Sequence, residues 1–301
     1  MSEKELSGVI PVYKARDWTS FDVVAKLRGI LHIRRIGHGG TLDPMAEGVL
    51  PVFVGKATKA CDVLPDRLKE YTAGFRFGIT TDTQDITGEV IRQSSLKPDA
   101  EEIAKVLPNY VGHIKQVPPM YSAVKVGGKK LYELAREGRT IEREARDIVV
   151  HGINIMNYDR YAAQGMMHII CEKGTYVRTL INDIGAELGC GGTMTSLVRT
   201  YSSGLAVKQC MRIEEIAMRV INEGAESVVM PVDKCFGEYE EVRLDGRLTG
   251  LYKNGVKLRA EQVGLGADDE AERRVYGDGG EFLGIGRMMD GEFRSIKNFY
   301  G

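Results

Sequence analysis

Hydrophobic and polar residues alternate along the chain with two different periods, which predicts a mixed α/β protein. Apolar positions at three- and four-residue spacing predict helices over residues 20–31, 98–107, 177–188 and 213–221. Apolar runs or strict alternation predict strands over residues 9–13, 49–54, 71–77, 148–155, 166–171 and 197–207. The first helix opens with Thr19 and Asp22 in the arrangement of a capping box, which indicates where it begins.

The pattern of apolar and polar residues along the chain changes near Val242. From there, short apolar pieces alternate with glycine and charged residues, which is typical of a small all-β domain. We therefore expect a first domain over residues 1–235, a boundary within 232–245 and a second domain over 240–301. A chain of 301 residues suits this division into one large and one small domain.

The composition is that of an ordinary globular protein, with 43% hydrophobic and 28% charged residues. Its five cysteines are scattered, and neither a CxxC pair nor a zinc-finger spacing of cysteine and histidine occurs. We therefore expect reduced thiols, a cytoplasmic protein and no metal. No run of about 18 apolar residues occurs, so the sequence predicts no transmembrane span.

Charge is unevenly distributed behind a net charge of -1. Residues 26–35 carry four cations and no acid, residues 125–146 carry seven cations against four glutamates, and acidic residues collect from Glu238 onward. Binding of a polyanion depends on the local potential rather than on the total charge. The composition is therefore compatible with nucleic-acid binding but is not evidence for it.

The segment Gly37–Pro44 is the densest candidate for chemistry. Three glycines and a proline make it a turn-rich loop, because these residues are poorly suited to the interior of helices and strands. Glycine allows a ligand to approach the backbone closely, and Pro44 restricts the backbone of Asp43. The loop lacks the Lys-Ser/Thr pair of a GxxxxGK[ST] phosphate loop. Taken alone, an Asp-Pro pair in such a loop is more typical of a structural turn.

Together with its surroundings, this loop resembles the catalytic signature of TruB-type pseudouridine synthases. The signature reads Gly-His-Gly-Gly-Thr-Leu-Asp-Pro-Met-Ala-Glu-Gly over residues 37–48 and closes with Gly-Lys-Ala-Thr-Lys over residues 55–59. Further blocks resemble the same family in the expected order: Lys69–Tyr71, Gly78–Gly88, Pro118–Tyr132, Lys173–Leu180 and Leu197–Arg199. The resemblance covers residues 8–235, and the C-terminal segment resembles the family's PUA-like domain in size and texture.

The sequence departs from the family pattern at three places. Lys14-Ala15 stands where Lys-Pro is usual, Gly39 stands where threonine is common, and Asp17-Trp18 replaces a segment that commonly contains glycine. None of these changes removes a group that the chemistry needs. We expect the first of them to loosen the packing behind the loop.

The resemblance implies an α/β (α+β) fold with a mixed, largely antiparallel sheet, followed by a small β domain. It implies isomerisation of uridine to pseudouridine at position 55 in the T loop of tRNA, with the target base flipped out of its stack. The implied chemistry uses an aspartate nucleophile and neither metal nor cofactor. The implied protein is a cytoplasmic monomer that acts on the T arm of tRNA without a membrane or an obligate protein partner.

The resemblance also assigns roles to individual residues. Asp43 is the nucleophile, and Arg178 is the cation that keeps its carboxylate ionised by lowering its pKa. Tyr71 stacks on the target base and helps to remove a proton, while His38 fills the space that the flipped base leaves. The substrate pocket further includes Tyr176, Leu197 and, as a supporting residue near the loop, Lys14.

Each of these residues also has a structural interpretation. An aspartate before proline caps turns, an arginine beside an apolar helix face is often a surface residue, and a loop histidine can be structural. Tyr71, Tyr176 and Leu197 fit an apolar core equally well. The basic segment 125–146 supplies the candidate contacts to RNA phosphates, and its alternative is a solvated helix face of mixed charge. These candidates are Lys125, Lys129, Lys130, Arg139 and Arg143.

Two other functions remain open from the sequence. The first is a non-catalytic tRNA-binding or tRNA-folding protein on the same scaffold, which the intact set of Asp43, Tyr71 and Arg178 disfavours. The second is an unrelated hydrolase that pairs Asp43 with a second carboxylate, although the sequence singles out no such partner. A relative that modifies RNA inside a ribonucleoprotein would share the motifs, but this chain lacks the long basic extensions expected there.

Overall fold

The computed structural model describes residues 6–64 and 68–300. Its helices are α1 (Ser20–Leu31), α2 (Ala100–Val106), α3 (Leu131–Arg136), α4 (Val177–Glu187), α5 (Ile213–Glu223), α6 (Gly246–Lys253) and α7 (Ala260–Val263). Its strands are β1 (Gly8–Lys14), β2 (Ile36–His38), β3 (Glu47–Val54), β4 (Leu68–Phe77), β5 (Ile79–Thr81), β6 (Val90–Gln93), β7 (Gly112–Gln116), β8 (Lys125–Val126), β9 (Lys129–Lys130), β10 (Arg146–Asp159), β11 (Gln164–Glu172), β12 (Gly192–Ser202), β13 (Leu205–Ala206), β14 (Glu241–Arg243), β15 (Leu258–Arg259), β16 (Arg273–Tyr276), β17 (Phe282–Met289) and β18 (Glu292–Asn298).

A nine-stranded sheet forms the larger part of the fold. Its strands lie in the order β1-β3-β12-β4-β11-β10-β7, with β2 paired to β3 and β13 paired to β12. β3 and β12 run parallel, and the other pairs in this sheet are antiparallel. This arrangement confirms the expected α/β fold with a mixed, largely antiparallel sheet.

Strand β4 lies at the centre of this sheet because its alternating apolar residues meet a hydrophobic cluster. Tyr71 and Phe75 are buried in that cluster. Helix α4 packs into the same cluster with Leu180 and Ile184, as its helical spacing predicts. Full burial of one such aliphatic side chain stabilises the fold by about 1.5–3 kcal/mol. The cluster therefore holds β4, which carries Tyr71, in a fixed relation to α4, which carries Arg178.

A second sheet of five strands lies in the order β14-β16-β17-β18-β15. A hydrophobic cluster joins it to the first sheet, because Phe53 and Phe236 pack together with Ile285 and Phe299. The two sheets are therefore in direct contact. Where the chain divides into two domains stays a prediction.

The expectation of an all-β C-terminal segment is wrong in part, because α6 and α7 interrupt its strands. Asp245 caps α6: its carboxylate accepts a hydrogen bond from the backbone N–H of Leu248 at 2.7 Å. Leu248 and Tyr252 then bury one face of the helix in the local core. Glycine at both ends and in the middle of α6 hides this helical period in the sequence. Strands still dominate the segment, as expected of a small β domain.

Most of the other predicted elements are confirmed. The capping box of Thr19 and Asp22 forms at the start of α1 with both reciprocal hydrogen bonds. Helices α2, α4 and α5 and strands β1, β3, β4, β10 and β11 lie where the sequence pattern placed them, with shifts at their ends. Local side-chain signals were strong in these elements, and tertiary packing agrees with them.

The remaining differences arise from pairing between distant parts of the chain. The segment interpreted as a loop from Gly37 begins in β2, because Gly37 pairs with Phe53 of β3. The strand predicted over 197–207 begins at Gly192 and ends in a turn at Ser203, whose φ is 55°. The hairpins β5–β6 and β8–β9 were not predicted. Within residues 6–64 and 68–300, no helix combines the length and apolarity that a membrane crossing requires.

Candidate active site

Lys14 supports the Asp43 loop, which we define as residues 39–46 between β2 and β3. The side chain of Lys14 is fully buried, and its ammonium donates to the carbonyls of Ala15 (3.0 Å), Trp18 (2.6 Å) and Pro44 (3.1 Å). An ammonium has three donors, so all of them are used. Burial lowers the pKa of Lys14 to about 8. Lys14 therefore supports the loop with all three of its donors, and its predicted place in the substrate pocket stays a prediction.

Two further residues hold the main chain of the Asp43 loop. In α1, the hydroxyl of Ser20 accepts a hydrogen bond from the backbone N–H of Leu42 at 3.0 Å and donates to its carbonyl at 3.3 Å. In β12, the buried guanidinium of Arg199 donates to the carbonyls of Gly40 at 3.0 Å and Val49 at 2.7 Å. Gly40 has a φ of 78°, a conformation that favours glycine. The loop is therefore fixed by the protein itself along its length.

The loop presents the carboxylate of Asp43 to Arg178, the second residue of α4. Nη1 of Arg178 lies 2.8 Å from Oδ2 of Asp43. The side chain of Asp43 is 36% exposed, whereas that of Arg178 is 6% exposed. The structure thus brings together Asp43 and Arg178, to which the family resemblance assigns the roles of nucleophile and cation. The carboxylate is accessible, and the guanidinium is enclosed.

Asp85 is a third charged residue of this site, and sequence reasoning missed it. Its Oδ2 lies 3.5 Å from Nη1 of Arg178, and its side chain is 5% exposed. Its Oδ1 accepts hydrogen bonds from the hydroxyl of Thr83 at 2.9 Å and from the backbone N–H of Thr87 at 3.0 Å. The carbonyl of Tyr121 accepts a further hydrogen bond from Nη2 of Arg178. Arg178 is therefore shared by Asp43 and Asp85 through Nη1 and is held by Tyr121 through Nη2.

The sequence of the turn between β5 and β6 does not show which of its aspartates contacts Arg178. Two aspartates stand in its Thr-Asp-Thr-Gln-Asp stretch. Asp82 is exposed and accepts a hydrogen bond from the backbone N–H of Glu89 at 2.8 Å. Asp85 is buried instead. Only the tertiary structure distinguishes the aspartate that meets Arg178 from the one that closes the turn.

The pKa of Asp43 is raised above the usual value for aspartate. The protein covers most of this partly exposed side chain, and the resulting loss of solvation is the main cause of the rise. The charge of Arg178 opposes the rise, and the nearby charge of Asp85 adds to it. The prediction that Arg178 lowers the pKa of this carboxylate is correct for the contribution of Arg178 and wrong for the net direction. Burial alone outweighs the opposite charge of Arg178, and the second carboxylate on the same guanidinium raises the pKa further.

Tyr71 and Leu197 lie in the hydrophobic cluster beside the Asp43 loop. Both are buried, and Leu42 of the loop belongs to the same cluster. Tyr71 is paired across the sheet with Arg199. Burial raises the pKa of Tyr71, while the guanidinium of Arg199 opposes the rise. The core interpretation of both residues therefore holds, and their predicted contact with a target base stays a prediction.

Tyr176 stands immediately before α4 and is oriented by Gln116, a second residue that sequence reasoning missed. Gln116 is buried at the end of β7. Its side chain accepts a hydrogen bond from the backbone N–H of Tyr176 at 2.8 Å and donates to the carbonyl of Tyr176 at 3.0 Å. The guanidinium of Arg178 lies 5.9 Å from the centroid of the Tyr176 ring. Tyr176 is thus placed beside the Asp43–Arg178 pair.

His38 ends β2 and leads directly into the Asp43 loop. It is half-buried and pairs across the sheet with Val52. Burial lowers the pKa of His38, and the charge of Arg199 lowers it further. Its Nδ1 is buried and has no hydrogen-bond partner among the described residues. A neutral imidazole therefore stands directly before the Asp43 loop, and its predicted role as a wedge stays a prediction.

The candidate phosphate contacts lie in and after the hairpin β8–β9. Lys125, Lys129 and Arg139 are exposed, and Lys130 and Arg143 are half-buried. Lys129 and Arg139 both approach Glu137, at 3.5 Å and 3.4 Å. Exposed pairs of this kind contribute about 0–1 kcal/mol, so both cations stay available to an anion. Helix α3 accounts for six residues of the segment. The alternative of a solvated helix face therefore does not describe most of it.

Two solved structures share this fold. A chain in the crystal structure of a Cbf5–Nop10–Gar1 complex aligns with a TM-score of 0.76 and 25% sequence identity, over 97% of this chain and 85% of that chain. A chain in a structure of an H/ACA RNP bound to a substrate RNA containing 2'-deoxyuridine aligns with a TM-score of 0.74 and 21% identity, over 98% of this chain and 85% of that chain. The second likeness supports the fold alone.

Sequence relationships identify the family. A family model for the N-terminal domain of the TruB family of pseudouridylate synthases matches residues 28–177, and a model for the C-terminal domain of tRNA pseudouridylate synthase B matches residues 178–237. The tRNA pseudouridine synthase B of Clostridium kluyveri is 38% identical over 98% of this chain and 100% of the relative. That of Clostridium novyi is 40% identical over 93% of this chain and 95% of the relative. The chain belongs to the TruB family of pseudouridylate synthases, which confirms the resemblance in its sequence.

Proposed function

We propose that this protein isomerises uridine to pseudouridine in tRNA, at position 55 of the T loop, with Asp43 as the nucleophile. The observation that carries the proposal is the contact between an accessible Asp43 carboxylate and the enclosed guanidinium of Arg178 at 2.8 Å. The relatives named tRNA pseudouridine synthase B support tRNA as the substrate. The protein works in the cytoplasm as a monomer, without an obligate protein partner.

The proposed reaction exchanges one bond to the sugar for another. The bond from C1' to N1 of uridine breaks, the base turns, and a bond from C1' to C5 forms, while C5 loses a proton and N1 gains one. A carboxylate nucleophile can hold the intermediate covalently while the base turns. Arg178 balances the charge that returns to Asp43 when the carboxylate is released. The reaction has no net oxidation, so these residues need no redox partner.

The residues around the Asp43–Arg178 pair form the pocket for the target base and do not transfer protons. Burial raises the pKa of Tyr71, so the phenol stays neutral near pH 7, and its ring suits stacking on the target base better than proton abstraction. His38 occupies the space left by the flipped base, and Tyr176 and Leu197 line the pocket. Flipping costs a few kcal/mol, which is least for bases in loops. The basic segment 125–146 contacts the phosphates of the T arm.

The position of Asp85 disfavours the hydrolase alternative. Such an enzyme would need a second carboxylic acid that faces the substrate together with Asp43. Asp85 is the carboxylate that shares Arg178 with Asp43, but it is buried and its Oδ1 accepts hydrogen bonds from Thr83 and Thr87. It is therefore committed to holding Arg178.

The proposal predicts pseudouridine in an isolated T-arm stem-loop that is incubated with purified protein and no added metal or cofactor. Carbodiimide labelling and primer extension would map the product. We expect a single stop that reports the T-loop uridine. A control stem-loop with cytidine at that position should give no stop. Tight binding without product would instead favour the non-catalytic tRNA-binding alternative. The absence of both binding and product would exclude tRNA as the substrate.

The pKa of Asp43 predicts an acidic limb in the pH dependence of kcat/KM. The nucleophile must be ionised, so activity is lost as the pH falls through the pKa of Asp43. Because burial raises this pKa, the limb should lie above the ordinary aspartate value of 3.8. Asp85→Asn removes the nearby negative charge that raises the pKa, so the limb should move to lower pH.

The measurement is kcat/KM between pH 4 and pH 8 for the wild type and both aspartate variants of the same turn. Asp82→Asn is the matched control, because Asp82 is exposed and its hydrogen bonds, from the backbone N–H of Glu89 and the hydroxyl of Tyr121, do not involve Arg178. Its limb should coincide with that of the wild type. A limb that stays in place in Asp85→Asn would contradict the electrostatic coupling of the two carboxylates through Arg178.

A further inference from the structure

One face of α1 combines an exposed aromatic ring with cations that the catalytic site does not use. Phe21 is 65% exposed, and Arg28 and His32 are exposed as well. Successive helical residues are rotated by about 100°, so positions 21 and 28 fall within about 20° of one another around the helix axis. His32 follows at the C-cap of α1. Arg34 follows two residues after His32 and is also exposed. We call these four residues the α1 ridge.

The basic end of the α1 ridge borders a shallow, open depression. Arg28, His32, Ile33 and Arg34 line this depression, whose volume is about 570 Å³. A concave surface lined by cations concentrates the positive potential and attracts anions. The shape and charge of this end therefore fit a phosphate-bearing chain.

Among the residues that the structure describes, no acidic side chain pairs with the two arginines of the α1 ridge. In residues 6–64 and 68–300, neither Arg28 nor Arg34 forms an ion pair. Arg28 donates one hydrogen bond to the carbonyl of Ile36 at 3.3 Å and lies 5.9 Å from the centroid of the Phe21 ring. The guanidinium therefore keeps free donors beside an exposed aromatic face. Cations interleaved with an aromatic residue are the pattern by which proteins hold single-stranded nucleic acid.

The α1 ridge begins at the catalytic site. Ser20 holds Leu42 of the Asp43 loop through hydrogen bonds to both of its backbone groups, and Phe21 is the next residue. From Phe21 to His32 the helix rises about 16 Å, at about 1.5 Å per residue. A nucleic-acid strand advances about 3.4 Å per nucleotide, so the ridge has the length of about five nucleotides. It therefore runs outward from the place where the target base would be bound.

We propose that the α1 ridge is an RNA-binding track for the strand that leads away from the target uridine. Phe21, at the end next to the Asp43 loop, stacks on an unpaired loop nucleotide beside the flipped uridine. Arg28 and Arg34, at the far end, bind phosphates of the same strand. The inference rests on the proposed function, because it takes tRNA as the substrate.

The test compares Arg28→Gln/Arg34→Gln with Lys26→Gln in the full-length protein. Lys26 is an exposed cation on the same helix, but it lies about 160° around the axis from Arg28. The dissociation constant for the T-arm stem-loop is measured as a function of salt, together with kcat and KM. Arg34→Gln alone is included, because Arg34 makes no hydrogen bond or ion pair that would be lost from the described structure.

The double variant should bind the stem-loop about tenfold more weakly at moderate salt, and the slope of log affinity against log salt should fall by about 1.4, at about 0.7 per phosphate contact. KM should rise with the dissociation constant while kcat stays within about twofold, because uniform binding is lost. Arg34→Gln should show about half of the change in slope, and Lys26→Gln should match the wild type. Phe21→Ala should weaken binding at least about fivefold without a change in slope.

Unchanged affinity and slope in the double variant of an active enzyme would overturn the α1 ridge as an RNA track. Equal losses in Lys26→Gln and the double variant would also overturn it, because the effect would then follow net charge rather than position. Failure of the proposed function is recognised separately, as a wild type that binds the stem-loop but forms no pseudouridine. In that case the binding measurements still decide whether the ridge holds RNA.

Discussion

Replacement of Asp43 by asparagine is expected to lower the rate of pseudouridine formation at least about 10⁴-fold, as for the loss of a covalent nucleophile in other enzymes. The side chain keeps its shape, but a carboxamide is not a nucleophile under these conditions. Binding of the T-arm stem-loop should change by less than about threefold, because an uncharged isostere leaves the pocket intact.

The fold should tolerate this change. Arg178 retains Asp85 at 3.5 Å and the carbonyl of Tyr121, so its charge stays compensated after Asp43 is neutralised. The main chain of the Asp43 loop keeps its hydrogen bonds to Lys14 and Arg199. The lost activity would therefore report chemistry and not unfolding.

Single-turnover product formation and stem-loop binding are the two measurements for this variant. Asp17→Asn is the matched control, since Asp17 lies close to the loop, with its backbone N–H donating to the carbonyl of Pro44 at 2.8 Å. Its side chain is 86% exposed. The control should retain wild-type turnover. Retained turnover in Asp43→Asn would remove Asp43 from the role of nucleophile.

The fold was predictable from the sequence where short-range signals decide it. The capping box of Thr19 and Asp22 sets the start of α1, and the alternation through Tyr71 and Phe75 sets the burial of β4. The short strand β2 was not predictable, because Gly37 has little tendency to form a strand and pairs only when Phe53 is brought beside it. The hairpins likewise depend on partners that no local pattern reveals.

The candidate site was predictable only as far as the family resemblance reached. Asp43 and Arg178 are far apart in the sequence, and neither helical nor strand spacing indicates that they meet. Sequence shows that Lys14 carries a charge, but only the fold shows that the charge is buried against three carbonyls. Asp85 and Gln116 were missed for the same reason, since their roles consist of contacts with residues distant in sequence.

Arg178→Met is expected to lower the free energy of unfolding by about 3–5 kcal/mol near pH 7, because it removes one partner of a buried ion pair. Asp85 would then be a buried carboxylate without its cation. An uncompensated buried charge carries a large desolvation cost, so the loss of stability should depend on the charge of Asp85. Pseudouridine formation should fall more than about 100-fold, as when one electrostatic donor is removed from an active site.

The double variant Arg178→Met/Asp85→Asn separates stability from catalysis. With the buried charge of Asp85 removed, more than half of the lost free energy of unfolding should return, because an uncharged amide can still accept the hydrogen bonds of Thr83 and Thr87. Activity should not return, since Asp43 still lacks its cation. Urea unfolding near pH 7 and single-turnover kinetics measure the two effects. An equal loss of stability in the single and double variants would mean that the packing of Arg178, and not its charge, stabilises this part of the fold. Recovery of activity together with stability would mean that Arg178 is needed only to compensate the charge of Asp85, because Asp43 would then react without Arg178 beside it.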